Sequence, residues 1–141
     1  IDSLVDFNLA QSPNVETLIL RRGSQTAVQA FGDDTDNQLF GNEFVNNLFG
    51  AGGTDFLLGF EGSDNFIITP ENGAVDVIGD FDFMGDKDRI GSSGFGPNAQ
   101  VVQVSTESFE IRSADGSITQ QFILQGYTGG GLVEGTDYFF G

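Results

Sequence analysis

From Gly32 the chain repeats itself every nine residues, as GDDTDNQLF, GNEFVNNLF, GAGGTDFLL and GFEGSDNFI, four consecutive blocks in one register ending at Ile67. Position 1 is always Gly (Gly32, Gly41, Gly50, Gly59), position 6 is Asn37, Asn46, Asp55 and Asp64, and position 8 is Leu39, Leu48, Leu57 and Phe66. Such a period fits neither an α-helix, at about 3.6, nor a long strand, at about 2. It fits a bend followed by about three extended residues, with glycines supplying positive φ at a tight repeated corner. Two blocks then close one coil, so that Leu39 stacks on Leu57 along one wall and Leu48 on Phe66 along the other. The expected fold is all-β, a short parallel β-roll or β-solenoid of nonapeptides.

Composition narrows the chemistry of the corners. The 141 residues suit one domain, and 21 Asp plus Glu against five Lys plus Arg give a formal net charge of −16. That charge repels nucleic acid and anionic membrane surfaces and attracts cations. There is no Cys, no His and no Trp, which removes thiol and Ser/His nucleophiles and the usual nitrogen and sulfur ligands of zinc or copper. Oxygen ligands remain, and those suit hard ions such as calcium. A disordered acidic tail is excluded by 38% hydrophobic residues with 15 Phe.

Stacked coils bring equivalent corners to within about 4.8 Å, so acids of successive coils face one gap and repel. A divalent ion sharing six or more oxygens turns that repulsion into attraction. Gly, Asn and Asp are also plain turn formers, Asn as good as Asp. At Asn37 and Asn46 the side chain offers a neutral oxygen without charge, and the turn-forming role competes most strongly there.

The blocks resemble the GGxGxDxUx nonapeptides of the RTX family, the hemolysin-type calcium-binding repeats of bacterial secreted proteins. GAGGTDFLL and GFEGSDNFI depart from the pattern only at position 2, as Ala51 and Phe60; the first two blocks carry Thr35 and Phe44 at position 4 and Asn at position 6. Residues 76–90, DVIGDFDFMGDKDRI, are similar to the segment after the last repeat of many members, and residues 2–20 to the strand-rich stretch before the repeats. The resemblance implies ions held by the position 6 carboxylate and by carbonyls of positions 1 to 4. Carried over, one gap is lined by Gly32, Asp34, Asn37, Ala51, Gly53 and Asp55, and a second by Gly41, Glu43, Asn46, Phe60, Gly62 and Asp64. A third takes Gly50, Gly52 and Asp55, closed by Asp80. Calcium is then expected to couple to folding, because a thin apolar core does not offset chain entropy and self-repulsion alone.

Around the repeats, residues 1–31 read as leading strands, 68–100 as a cap and 101–141 as C-terminal strands of the same domain. Position 9 faces outward yet reads Phe40, Phe49, Leu58 and Ile67, with Phe31 one block earlier. Phe31, Phe49 and Ile67 form one outer ladder, and Phe40, Phe56 and Leu58 a patch on the opposite wall; such stripes mark contact surfaces. Residues 101–113 and 117–127 read as two strands of a hairpin with a type I′ turn at Asp115-Gly116, Phe109 opposite Phe122, covering one wall. Phe81, Phe83 and Ile90 are expected to cap the roll, and GTDYFFG at the end resembles the tail of type I secretion substrates or is a last strand on the hairpin.

Ile1–Ala10 carries acids where a secretory signal has bases, no stretch reaches a membrane span, and a start without Met reads as a fragment or a processed product. The leading functional expectation is a secreted, extracellular, non-catalytic calcium-binding module, structural or secretion-linked. One alternative is a filament, surface-layer or adhesin unit whose Phe ladders join copies of itself. Another is a polysaccharide-binding accessory of an extracellular enzyme, through Tyr127, Tyr138, Arg21 and Arg22. An enzyme of paired carboxylates is disfavoured, since the acids fall at bends.

Overall fold

The computed structural model describes every residue except Leu4, Ser24, Thr26, Ala27, Asn72, Phe83 and Met84. Ten short strands come first: β1 (Asp2–Ser3), β2 (Phe7–Asn8), β3 (Thr17–Leu20), β4 (Gln29–Phe31), β5 (Gln38–Phe40), β6 (Asn47–Phe49), β7 (Phe56–Leu58), β8 (Asn65–Ile68), β9 (Asp76–Ile78) and β10 (Arg89–Ser92). They alternate between two parallel sheets, odd strands in one and even strands in the other. Then follow β11 (Gln100–Gln103), β12 (Ser108–Arg112), β13 (Thr119–Leu124) and β14 (Tyr138–Phe140). A 3₁₀ turn, Leu9–Gln11, is capped by Asn8 Oδ1 accepting from Ala10 N at 2.9 Å. The fold is a parallel β-solenoid of about four turns with added C-terminal strands.

Each three-residue strand reads half-buried, buried or exposed in strict alternation, because successive side chains point to opposite faces. Position 8 is the inward one: Leu39, Leu48, Leu57 and Phe66 are fully buried. Strand register continues this core beyond the repeats, as Leu18–Leu39–Leu57–Ile78 on one wall and Ala30–Leu48–Phe66–Ile90 on the other. Burying one such Leu contributes roughly 2 kcal/mol, and the thinness of the coil leaves one buried apolar group per three-residue strand. Outward residues pair equally well. Phe31, Phe49 and Ile67 stand in one line, with the first two rings stacked at 4.5 Å, and Phe40 pairs with Leu58 across the other sheet.

The C-terminal third departs from expectation in four ways. The stretch 101–113 is folded back on itself at Ser105–Glu107 into β11 and β12, since Ser-Thr-Glu-Ser interrupts the apolar alternation. Phe109 does lie opposite Phe122, with rings 5.6 Å apart, but the turn is a four-residue loop. Ser113 N bonds Ile118 O, only Gly116 has positive φ, and the Asp115 carboxylate accepts from Ser117 N. This hairpin covers neither outer wall: β13 joins β9 edge to edge in parallel and extends the first sheet. Ile90 is likewise no cap but an inward residue of a further coil, paired with Phe66 and Tyr138, and β14 extends the second sheet beside β10. Phe81 does close the end of the core, against Phe66 at 6.4 Å and Tyr127 at 5.8 Å. Phe83 lies outside the described residues.

The glycines of the bends serve two purposes. At position 4, Gly53 and Gly62 have φ of 96° and 112°, and a Cβ at Gly53 would stand 2.6 Å from the Thr35 carbonyl carbon of the coil before. Position 1 never has positive φ, contrary to expectation; glycine is needed there because the position 6 side chain presses on its α-carbon. Ala51 and Phe60, at position 2, hold φ of 74° and 73°, a conformation costing about 1–2 kcal/mol for a non-glycine residue. Gly53→Ala is therefore expected to destabilise the protein by about 2 kcal/mol or more, and Ala51→Gly to stabilise it by about 0.5–1 kcal/mol. Thermal unfolding of both variants checks this, and equal midpoints would refute the bend geometry.

Candidate metal centre

Two ladders of side chains run inside the bends. In the first, Asn37 N donates to Asp55 Oδ1 at 2.8 Å, and Asp55 N donates to Asp76 Oδ1 at 3.0 Å. In the second, Asn46 N donates to Asp64 Oδ1 at 2.7 Å and Asp64 N to Asp88 Oδ1 at 2.8 Å. Each position 6 residue thus offers its amide to the acid of the next coil, at the point where the chain leaves the bend for the strand. The acids are buried as a result: Asp64 is fully covered, Asp55 and Asp76 are 1% exposed and Asp88 3%.

The other oxygen of each acid decides the chemistry. Asp88 Oδ2 accepts from Asp82 N at 2.8 Å. Asp55 Oδ2, Asp64 Oδ2 and Asp76 Oδ2 are buried with no hydrogen-bond donor at all, as is Glu71 Oε2. In the first two cases the bare oxygen is aimed at the α-carbon of Gly50 or Gly59, where a Cβ would collide with it. A buried carboxylate oxygen without a partner favours the protonated acid or calls for a cation. Burial pushes Asp55 up to about 7, with the charge of Asp76 adding to it, and Asp64 up to about 8, with Asp88, Asp80 and Asp86 adding. Burial likewise lifts Asp76 to about 6, Asp88 to about 7 and Glu71 to about 8, the last beside Asp76 and Asp55.

The structure brings together most of the predicted sets. The bends of blocks one and three face each other, with Gly52 N donating to Asp33 O at 2.9 Å and Gly53 resting on Thr35. Gly32, Asn37, Ala51 and Asp55 belong to that gap, while Asp34 is exposed on its rim. In the second gap Gly41 lies against Asn46 and the Gly59 carbonyl, and Gly62 lies over Phe44. The Glu43 carboxylate faces the preceding turn instead, accepting from Gly23 N at 2.7 Å and standing 3.6 Å from Arg22. Phe60 is 45% exposed.

Asp80 does not close a third gap over Gly50, Gly52 and Asp55. It caps Gly59 N at 3.0 Å and Phe60 N at 2.7 Å, in the other ladder. The acid above Asp55 is Asp76, 21 residues on, and the one above Asp64 is Asp88, 24 residues on, because the coils lengthen from the 18 residues of the repeats. Sequence reasoning passed over both, although DVI and DRI repeat positions 6 to 8 of the blocks. Asp36 was missed as well, and its carboxylate accepts from Thr54 N at 2.8 Å.

Among the described residues no three acids converge tightly enough to hold an ion by themselves. The donorless carboxylate oxygens of Asp55 and Asp76 in one ladder and of Asp64 in the other are ligands of the kind a hard cation takes. The residues raised for glycan contact sit on different elements. Arg21 and Arg22 border a cleft of about 450 Å³ with Ile19 and Phe60, Tyr127 packs on Phe81 and Phe109, and Tyr138 sits in β14. No helix of the described residues is long and apolar enough to cross a membrane.

No protein-family model matches the chain, and no curated protein matches it.

The buried acids give the metal-free protein a pH dependence of known sign. Their folded pKa values lie above the ordinary carboxylate range, so their contribution to stability is complete below about pH 4 and is lost as pH rises through 6 to 8. Metal-depleted protein is expected to melt on the order of 10 °C lower at pH 9 than at pH 5, and the Asp55→Asn, Asp64→Asn double variant to flatten the profile. A midpoint that rises with pH would show that these acids are ionised and satisfied in the fold.

Proposed function

We propose that this chain is a calcium-binding β-solenoid module of the RTX kind, extracellular and non-catalytic, that is stabilised by the ion and serves a structural or secretion-linked role. The observation that carries the reading is the set of buried, donorless oxygens of Asp55, Asp64 and Asp76. The nonapeptide register, the absence of nitrogen and sulfur ligands and the charge of −16 support it. Calcium, when bound, supplies positive charge where the fold has buried negative charge. Asp55 and Asp76 hold it in one ladder and Asp64 in the other, and the glycines of position 1 keep the approach to those oxygens clear of side chains.

Saturation at about 100 times the dissociation constant contributes about 2.7 kcal/mol, a large part of a small domain's stability. Isothermal titration of chelator-stripped protein with calcium is expected to show binding that raises the melting point by about 5 °C or more. Asp55→Ala with Asp64→Ala is expected to weaken binding at least about tenfold. Calcium without effect on either heat or melting would sink the reading.

A second reading, self-association, is favoured by the charge distribution. The outward residues of the second sheet are Asn8, Gln29, Phe31, Asn47, Phe49, Asn65, Ile67, Arg89, Gly91 and Phe139, without one acid. On a molecule with 21 acids, this is a face on which another copy can sit without charge repulsion. Phe31 and Phe49 stack face to face at 4.5 Å, so each spends one ring face on the other, which suits packing between apolar ladders better than stacking of sugar rings. Sedimentation velocity in calcium is expected to show a concentration-dependent oligomer that Phe31→Ser with Phe49→Ser abolishes. A wild-type monomer at high concentration would exclude it.

A further inference from the structure

The two halves of the repeat close their bends by different means. In block one, Asp33 N donates to Asn37 Oδ1 at 2.7 Å, Thr35 N donates to Asp33 Oδ1 at 2.9 Å, and Asn37 Nδ2 reaches Asp33 Oδ1 at 3.3 Å. Block two repeats this atom for atom. Asn42 N donates to Asn46 Oδ1 at 2.7 Å, Phe44 N to Asn42 Oδ1 at 3.0 Å, and Asn46 Nδ2 to the same oxygen at 3.1 Å. An Asp or Asn at position 2 and an Asn at position 6 form one closed network, in which every polar side-chain atom of Asn46 and Asn42 Oδ1 has a partner.

Blocks three and four lack it. Position 2 is Ala51 or Phe60, without a polar side chain and at positive φ, and the position 6 oxygen that would meet the position 2 amide is Asp55 Oδ2 or Asp64 Oδ2, which meets no donor. Position 4 changes in step: Thr35 and Phe44 have ordinary φ where Gly53 and Gly62 have positive φ. The residues that look like decay of the repeat are therefore a second, self-consistent kind of bend.

We infer that the bends at 32–37 and 41–46 are complete without a cation and act as a pre-formed template, and that only the segment from Gly50 to Ser92 needs the ion to order. The inference rests on the calcium reading and adds where along the roll that ion acts. In a solenoid each coil contacts its neighbours alone, so satisfied and unsatisfied bends remain energetically distinct. Strands β3 to β6 stack Leu18 on Leu39 and Ala30 on Leu48, a short apolar column to which β7 and β8 add when their bends are neutralised.

Hydrogen exchange read by mass spectrometry on the full chain, with calcium and after chelation, tests this. Chelation is expected to speed exchange in 56–68 and 76–92 by roughly tenfold or more, while 29–49 changes less than about threefold. Equal acceleration of both segments overturns the template but leaves calcium binding intact. No acceleration anywhere overturns calcium binding itself. The Asp55→Asn, Asp64→Asn variant, which removes the buried charge, gives the second arm: it is expected to need at least about tenfold more calcium to protect 56–68. A wild-type calcium response in that variant overturns the assignment of these two acids.

Discussion

A side chain held inside each bend, with an oxygen against its own glycine and, where it is an acid, a second oxygen turned to the coil before, is the constraint from which the rest of the roll follows. It ties coil to coil, because the amide of position 6 finds its acceptor in the acid of the next coil. It dictates glycine at position 1, because no Cβ fits beside that oxygen. It also sets the strand, since the residue after it begins a three-residue ladder whose middle member is the one inward apolar group. A buried polar atom is expensive unless satisfied, so the identity of this one residue determines what else the bend must contain.

The inner wall was legible because a period of nine with a fixed apolar position leaves one phase for the strands, and Leu39, Leu48, Leu57 and Phe66 took the places that phase assigns. Legibility ends where the period does. Asp76 and Asp88 occupy position 6 of the last coils, but longer connections precede them and their bends have no position 1 glycine in register, so spacing pointed to Asp80 instead. Turn chemistry misled elsewhere for a related reason. Asp115-Gly116 carries the signature of a two-residue turn, yet Ser113 and Ser117 supply side-chain bonds that favour a wider loop. In the bends, glycine was read as a conformational need when at position 1 it is a spatial one.

Charge and apolarity are sorted by the same geometry. Acids gather at the bends, where stacking at about 4.8 Å concentrates their repulsion, and the second sheet keeps amides and hydrocarbons, with Arg89, on its outer face, Asn65 Nδ2 donating to Asn47 Oδ1 at 2.8 Å beside the Phe ladder. Edge strands are the usual liability of such sheets. At the C-terminal side β13 and β14 occupy the edges of β9 and β10, while Phe81, Tyr127 and Phe109 close the opening between the sheets. The outer faces stay bare because the C-terminal strands are spent on the ends.

Two kinds of bend in one roll make sense as a division of labour in folding. A bend closed by Asn and a neighbouring Asp or Asn forms from local groups, at the entropic cost of a few residues. A bend with an acid at position 6 and a left-handed residue at position 2 gives up that internal amide, takes on backbone strain at Ala51 or Phe60 and buries a bare oxygen, so in isolation it is the weaker structure. It gains from positive charge at that bare oxygen, a group that Asn37 and Asn46 do not present in the closed bends. Placing the closed bends first and the open ones after them lets a short local structure present its strand edges, so that the costly bends form against an existing surface and lose less entropy in doing so.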